Sequence, residues 1–283
     1  LPQPAEIVVP RGATAMVATA LRKAGLIDHP LALRAAAWLT RDGALHEGEF
    51  HFPAHASLRT VLLILRHARP VQHLLTIPEG LTAAQIARLL DQAEPLQGDD
   101  AFPDEAGVLP QTYAYLRGTS RQSLLQRAAQ ALDRSLTVAW AARDPETPLN
   151  SPRQALILAS LVERETALPA ERPHVAAVFL NRLRLGMKLQ SDPTAAYAAT
   201  GGLGGPHTLT RADLDSANPY NTYRAHGLPP GPICAPGLAA IEAVLRPARS
   251  DDLYFVADGT GGHAFALTLV DHQRNVAHWR ALH

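Results

Sequence analysis

The chain has a single cysteine, Cys234, which excludes an internal disulfide and any multi-cysteine metal cluster and leaves a small packed thiol as the expectation. Charge of one sign is also lacking. Lys plus Arg and Asp plus Glu both number 26, so the net charge is +0 and the basic footprint of a nucleic-acid binder is missing; no nucleic-acid partner is expected. No apolar run approaches the roughly 20 residues of a membrane helix, since the most apolar stretches, Val61 to Leu65 and Ile157 to Val162, are far too short. Aromatic residues make up only 5%. The 13 histidines form no His-Glu-x-x-His, and neither a Gly-x-Ser-x-Gly elbow nor a phosphate-cradling loop occurs, so a site without metal or cofactor is expected.

What is present is a chain of 283 residues rich in Ala and Leu, interrupted by short Val/Ile/Phe segments. Such a length and pattern predict an α+β protein of two compact units, or one large unit with an appendage. The chain starts at Leu1-Pro2-Gln3-Pro4 without an initiator Met, and the expectation is that a targeting or anchoring segment has been removed ahead of this numbering.

An internal echo marks the amino-terminal region. Ile7-Val8-Val9-Pro10-Arg11-Gly12-Ala13-Thr14 leads into Val17, Ala18 and Leu21, and Leu75-Thr76-Ile77-Pro78-Glu79-Gly80-Leu81-Thr82 leads into Ile86, Ala87, Leu89 and Leu90. Each copy reads as a β-branched strand, a Pro-x-Gly turn, a Thr cap and an amphipathic helix. Between them, Gly48 to Phe52 alternates with period two, and Ser57 caps a helix carrying Val61, Leu62 and Leu65. Residues 1–94 therefore read as a small α+β region similar to the LysM-type modules that bind glycan strands. Gln92 to Gly107 reads as a linker. Residues 95–283 divide into helical spacing from Leu116 to Ala142, a helical block to Gly186, a Gly/Pro-rich loop region to Pro236, a helix from Leu238 to Leu245, and a carboxy-terminal hairpin of Leu253–Ala257 and His263–Leu267.

The strongest single element begins at Ser151-Pro152-Arg153-Gln154, where a capping serine precedes a proline at the first helical position. At 100° per residue, Leu158, Leu161, Val162 and Glu165 share one stripe, so Glu165 continues the apolar face. Glu163 points away from that stripe, beside Arg164, as a solvated charge would. A glutamate on an apolar face is desolvated, which raises its pKa and lets it stay protonated as a general acid. The competing reading is a paired structural carboxylate, or one that escapes to water at the helix end.

Ala159-Ser160-Leu161-Val162-Glu163-Arg164-Glu165-Thr166 resembles the signature helix of the MltG-type (YceG-like) endolytic murein transglycosylases. The resemblance continues in order through Glu171-Arg172, Val178 to Leu183, Gly186 to Thr194, Ser216 to Tyr223, Gly227 to Ile233, Pro236-Gly237, Leu253 to Gly259 and Gly262-His263. Leu109-Pro110-Gln111-Thr112-Tyr113 departs from the family's Pro-Asp-Thr-Tyr, and no role is carried over to Gln111.

The resemblance implies that Glu165, the second glutamate, is catalytic. It implies cleavage of the β-1,4 bond between N-acetylmuramic acid and N-acetylglucosamine without water, leaving a 1,6-anhydro end. One carboxylate then suffices, because the sugar's own C6 hydroxyl attacks in place of an activated water. It also implies peptidoglycan strands as substrate, peptidoglycan synthases (penicillin-binding proteins) as partners, and a body at the periplasmic face of the inner membrane, held by an amino-terminal helix that this chain does not show.

Around that carboxylate, Gln190, Ser191, Asp192 and Thr194 offer amide, hydroxyl and carboxylate groups suited to sugar hydroxyls and N-acetyl groups, with turn chemistry at Asp192-Pro193 as the alternative. Asn218, Tyr220, Asn221 and Tyr223 alternate amides with rings, a mixture suited to reading a sugar's edge and covering its face. His263 either lines the cleft or is satisfied by backbone, and stays outside the catalytic set. Two other functions compete: a non-catalytic glycan-binding protein, and a hydrolytic muramidase with Asp192 as second carboxylate.

Overall fold

The computed structural model describes residues 1–282, and among them eleven helices and three two-stranded sheets form a mixed α+β architecture. The chain divides into two compact units that interleave along the sequence. Unit 1 comprises Leu1–Leu75, Ala93–Gly98 and Ala114–Ser120; unit 2 comprises Thr76–Gln92, Asp99–Tyr113 and everything from Arg121 onward. Thus no single boundary falls at residue 94: of the expected linker, Gln92 ends a segment of unit 2, Ala93–Gly98 belong to unit 1, and residues 99–107 belong to unit 2, with Ala101 and Ala106 buried.

Unit 1 opens with strand β1 (Ala5–Val9), helices α1 (Thr14–Lys23) and α2 (Pro30–Thr40), strand β2 (Gly48–Phe52) and helix α3 (Leu58–His67). β1 pairs antiparallel with β2, with Ile7 opposite Phe50. The period-two pattern sends Ile7, Val9, Phe50 and Phe52 into one core with Val17, Leu21, Leu33, Val61 and Leu65. Ser57 caps α3, its hydroxyl accepting from the Thr60 N–H. Thr14 does not cap α1, because the helix begins at Thr14 itself. Glu49 is 5% exposed; its carboxylate meets His73 at 2.6 Å and Arg117 at 3.1 Å.

The second strand–turn–helix copy runs through β3 (His73–Thr76) into α4 (Ala83–Asp91), and there the echo diverges. Thr82 does cap its helix, closing a reciprocal box with Gln85, and α4 belongs to unit 2. β4 (Thr112–Tyr115) pairs with β3. The helix expected from Leu116 is α5 (Arg121–Ala141); the strand and a turn at Gly118, whose φ of 86° suits glycine, delay its start.

Unit 2 continues with α6 (Pro152–Glu165), α7 (Arg172–Arg184), α8 (Asp192–Thr200), α9 (Arg211–Asp215), α10 (Leu238–Leu245), the hairpin β5 (Tyr254–Ala257) and β6 (His263–Ala266), and α11 (Leu269–Ala281). Leu158, Leu161 and Val162 of α6 are wholly buried against Val175 and Phe179 of α7 and Ile241 and Val244 of α10. Burial of this kind is worth about 1.5–3 kcal/mol per large side chain, so the end of α6 is firmly seated.

Four helices were not expected: α2, α8, the short α9 and α11. α8 starts inside the supposed loop region because Asp192-Pro193 places Pro in the first turn, where its missing N–H costs nothing, and alanines follow. α11 has no fully buried residue and hence no apolar stripe to betray it; Thr268 caps it, accepting from the Asp271 N–H. Among the described residues no helix is long and apolar enough to cross a membrane.

Candidate active site

Glu165 is the last residue of α6, a helix whose start is fixed by Ser151 accepting from the Gln154 N–H and by Pro152 in the first turn. Its side chain closes the apolar stripe, as its spacing requires, but remains partly open to a cavity of about 410 Å³. Ser191 Oγ donates to Glu165 Oε1 at 2.5 Å. Burial pushes the Glu165 carboxyl up to about 7; the Ser191 hydrogen bond opposes the shift, the Asp192 charge adds to it and the Arg182 charge reduces it. At neutral pH such a group exists in both protonation states and can give a proton and take one back.

Ser191 occupies the cap position of α8 yet makes no side-chain cap bond, its hydroxyl being engaged by Glu165. A buried hydroxyl network holds it in place. Ser191 N–H donates to Thr222 Oγ1 (3.0 Å), Thr194 Oγ1 donates to the Ser191 carbonyl (2.6 Å), and the hydroxyls of Thr194 and Thr222 lie 2.8 Å apart. Gln190 turns the chain into this arrangement with a φ of 50°, a left-handed conformation costly for a non-glycine residue.

Arg182 forms the floor. Its Nε donates to the Leu253 carbonyl (2.6 Å) and its Nη1 to the Leu189 carbonyl (2.7 Å), fastening both the Gln190 turn and the approach to β5. Asp192 is exposed at the rim, where the Tyr223 hydroxyl donates to it. His263 lines the same cavity and is satisfied as well: its backbone N–H donates to Glu171 Oε1 and its Nδ1 lies 2.8 Å from Glu171 Oε2. Burial pushes Glu171 upward, but these bonds and the Thr166 hydroxyl outweigh it and hold the carboxyl below its ordinary value.

Of the sequence candidates, Glu165, Gln190, Asp192 and Tyr223 line the cavity, and Ser191 reaches it through Glu165. Thr194 is wholly buried in the hydroxyl network. Asn221 must be corrected: it is 0% exposed, with its amide nitrogen on the carbonyls of Asp213, Leu214 and Ser216, so it fastens the loop and presents nothing to a sugar. Asn218 closes a turn by accepting from the Tyr220 N–H, and Tyr220 packs its ring on Tyr197; neither lines the cavity.

Glu163 is also corrected. Its side chain is buried, meets Arg172 at 3.2 Å and accepts from the Gly237 N–H at 3.0 Å. Burial raises its pKa, with the Gly237 bond and Arg172 opposing and Glu79 adding. A Cβ at Gly237 would sit 1.8 Å from Glu79 Oε1, so any larger residue here would turn the Glu79 side chain aside. Arg182 and Thr222 were missed as site residues. Both stand in the runs that carry the family resemblance, but their contacts are with residues far along the chain.

A half-enclosed carboxyl poised near neutrality, with a hydroxyl on it and an arginine beside it in a polar cleft, has the make-up that acid/base chemistry requires. The model of the YceG-like family matches residues 7–278, and the chain belongs to that family. A crystal structure of a yceG-like protein from Listeria monocytogenes superposes with a TM-score of 0.61 at 25% identity, covering 96% of this chain and 98% of that one. The chain is 32% identical to the endolytic murein transglycosylase of Streptococcus pneumoniae R6 over 95% of its own length and 57% of the relative's. It is 43% identical to that of Bacillus subtilis 168 over 44% of its own length and 34% of the relative's. The chain therefore spans little more than half the length of the Streptococcus relative and about a third of the Bacillus one.

Proposed function

We propose that this chain is the body of an endolytic lytic transglycosylase that cuts the β-1,4 bond between N-acetylmuramic acid and N-acetylglucosamine in peptidoglycan strands, leaving 1,6-anhydro ends. The observation that carries this reading is Glu165, a carboxyl raised to about 7 by burial and held through one oxygen by Ser191. Protonated, it gives its proton to the leaving glycosidic oxygen; ionised, it then takes the proton of the C6 hydroxyl as that oxygen closes on C1. The attacking hydroxyl belongs to the substrate, which supplies the advantage of an intramolecular reaction. The relatives named endolytic murein transglycosylase support the same reading.

Unit 1, with its β1-α1-α2-β2 order, is proposed as a LysM-like glycan-positioning region, and the rest as the catalytic region. Peptidoglycan synthases as partners, and a membrane-anchored place in the periplasm, complete the proposal. Mass spectrometry of digested peptidoglycan tests it: anhydro ends from the wild type and none from Glu165→Gln are expected. A second reading is kept because Asp192 lines the same cavity. Reducing ends as the main product would mean water is the acceptor and Asp192 the second carboxylate.

A further inference from the structure

The wall of the Glu165 cavity contributed by α11 carries one imidazole with no assigned task. His272 lines the cavity, its ring stacks on Tyr254 at 5.2 Å between centroids, and Arg182 lies over the same Tyr254 ring at 5.3 Å. Its Nδ1 is buried with no hydrogen-bond partner among the described residues. Unpartnered buried polar atoms are uncommon and call for an explanation. Orphaned acceptors are less rare than orphaned donors, which favours the tautomer with the lone pair on the buried Nδ1 and the proton on Nε2. Burial and the Arg182 charge both lower the His272 pKa, which keeps the ring neutral.

Three of the other donors of the cleft are committed, while the Gln190 amide and His263 Nε2 stay within the same lining. Ser191's hydroxyl is on Glu165, Tyr223's is on Asp192, and Arg182 holds two backbone carbonyls. We propose that His272 is a substrate-contacting residue, donating from Nε2 to the acetamido carbonyl oxygen of an N-acetylhexosamine seated in the Glu165 cleft. This rests on the glycan-cleaving reading above. An amide carbonyl is the strongest neutral acceptor on such a sugar, and a neutral N–H meets it without drawing in a carboxylate as an imidazolium would. The contact makes the site selective for N-acetylated over de-N-acetylated strands.

The test uses His272→Phe, which keeps an aromatic ring against Tyr254 but removes the donor, and His272→Gln, which restores a donor near the Nε2 position. The wild type's preference for N-acetylated over de-N-acetylated strands, read as a ratio of kcat/KM, is expected to fall about tenfold in His272→Phe, as the loss of one hydrogen bond implies, and to recover in part in His272→Gln. An equal preference in all three chains overturns the contact, as does a Phe variant as efficient as wild type on acetylated strands. Affinity for a short acetylated strand, measured by calorimetry in the Glu165→Gln background, frees the test from turnover. Weaker binding with Phe upholds the contact even if the cleaved ends prove to be reducing, and unchanged binding overturns it.

Discussion

Each unit removes a glutamate from water, and the two carboxyls respond in opposite directions. Burial pushes Glu49 of unit 1 upward, but hydrogen bonds and charge from His73 and Arg117 prevail and hold it below its ordinary value. Glu165 of unit 2 is desolvated with only the Ser191 hydroxyl bonded to it and the Arg182 guanidinium tied to backbone carbonyls, so burial wins. The comparison separates a carboxylate that ties strands together from a carboxylic acid that can part with a proton. Burial alone distinguishes neither; the partner does. Glu163, two residues from Glu165 on α6, falls between them, paired with Arg172 yet still raised.

The comparison predicts, first, that Glu165→Gln lowers the formation of new strand ends by about 10²–10⁴-fold, the range of a lost general acid/base, with circular dichroism unchanged. Residual activity near wild type would place the chemistry elsewhere. Second, Glu163→Gln leaves Arg172 buried beside a neutral amide. Arg172 keeps the Glu79 carboxylate at 3.5 Å, and the raised Glu163 pKa means its ionised form already costs stability, so thermal melts should show a loss of only about 1 kcal/mol, while turnover of the folded fraction stays within an order of magnitude. Equal inactivation by the two substitutions with both folds intact would erase the distinction between neighbours.

A third expectation concerns the sign of pH effects. Glu165 has a raised folded pKa, so the folded state holds its proton more tightly and the benefit is full below about 4.5 and lost as pH rises through about 7. Glu165→Gln should therefore be more stable than wild type above pH 7, by on the order of 3 kcal/mol, with the difference vanishing below about pH 4.5. Catalysis by the wild type should fall on the alkaline side of about 7 as the acid form is depleted. Ser191→Ala removes the bond that favours the ionised form, so that alkaline limb should move to higher pH; a move to lower pH would show that Ser191 does not act on Glu165 as a donor.

Last, Glu49→Gln should cost unit 1 about 1–2 kcal/mol, because Arg117 keeps access to water. The sign is opposite to that at Glu165. A depressed carboxyl gives stability that is present above about 4.5 and lost as pH falls through its folded value. Wild type and Glu49→Gln should thus converge in acid, as hydrogen exchange of the β1–β2 amides can follow.

How much of this was legible follows the range of the forces involved. The seat of Glu165 was readable because the stripe of Leu158, Leu161 and Val162 is a local, periodic signal. Glu163 was misjudged because a helical wheel gives an angle but not what lies along it: Arg172 and the Gly237 N–H arrive from elsewhere in the chain. Asn221 had the chemistry of a sugar ligand but spends it on three nearby carbonyls. Arg182 acts on backbone at Leu189 and Leu253, and Thr222 pairs with Thr194; nothing in the spacing marks either. α11 was hidden by its lack of a buried face, which also concealed His272.

The interleaved path of the chain bears on inheritance. The backbone passes between the two units after Leu75, Gln92, Gly98, Tyr113 and Ser120. A single recombination breakpoint in the gene therefore cannot exchange one unit whole without carrying along, or leaving behind, a piece of the other. Cutting after residue 94 would remove the Thr76–Gln92 segment, whose turn places Glu79 beside Arg172, from the unit that carries Glu165. Exchange of a whole module at one breakpoint, open to chains whose domains are strung in series, is closed to this one.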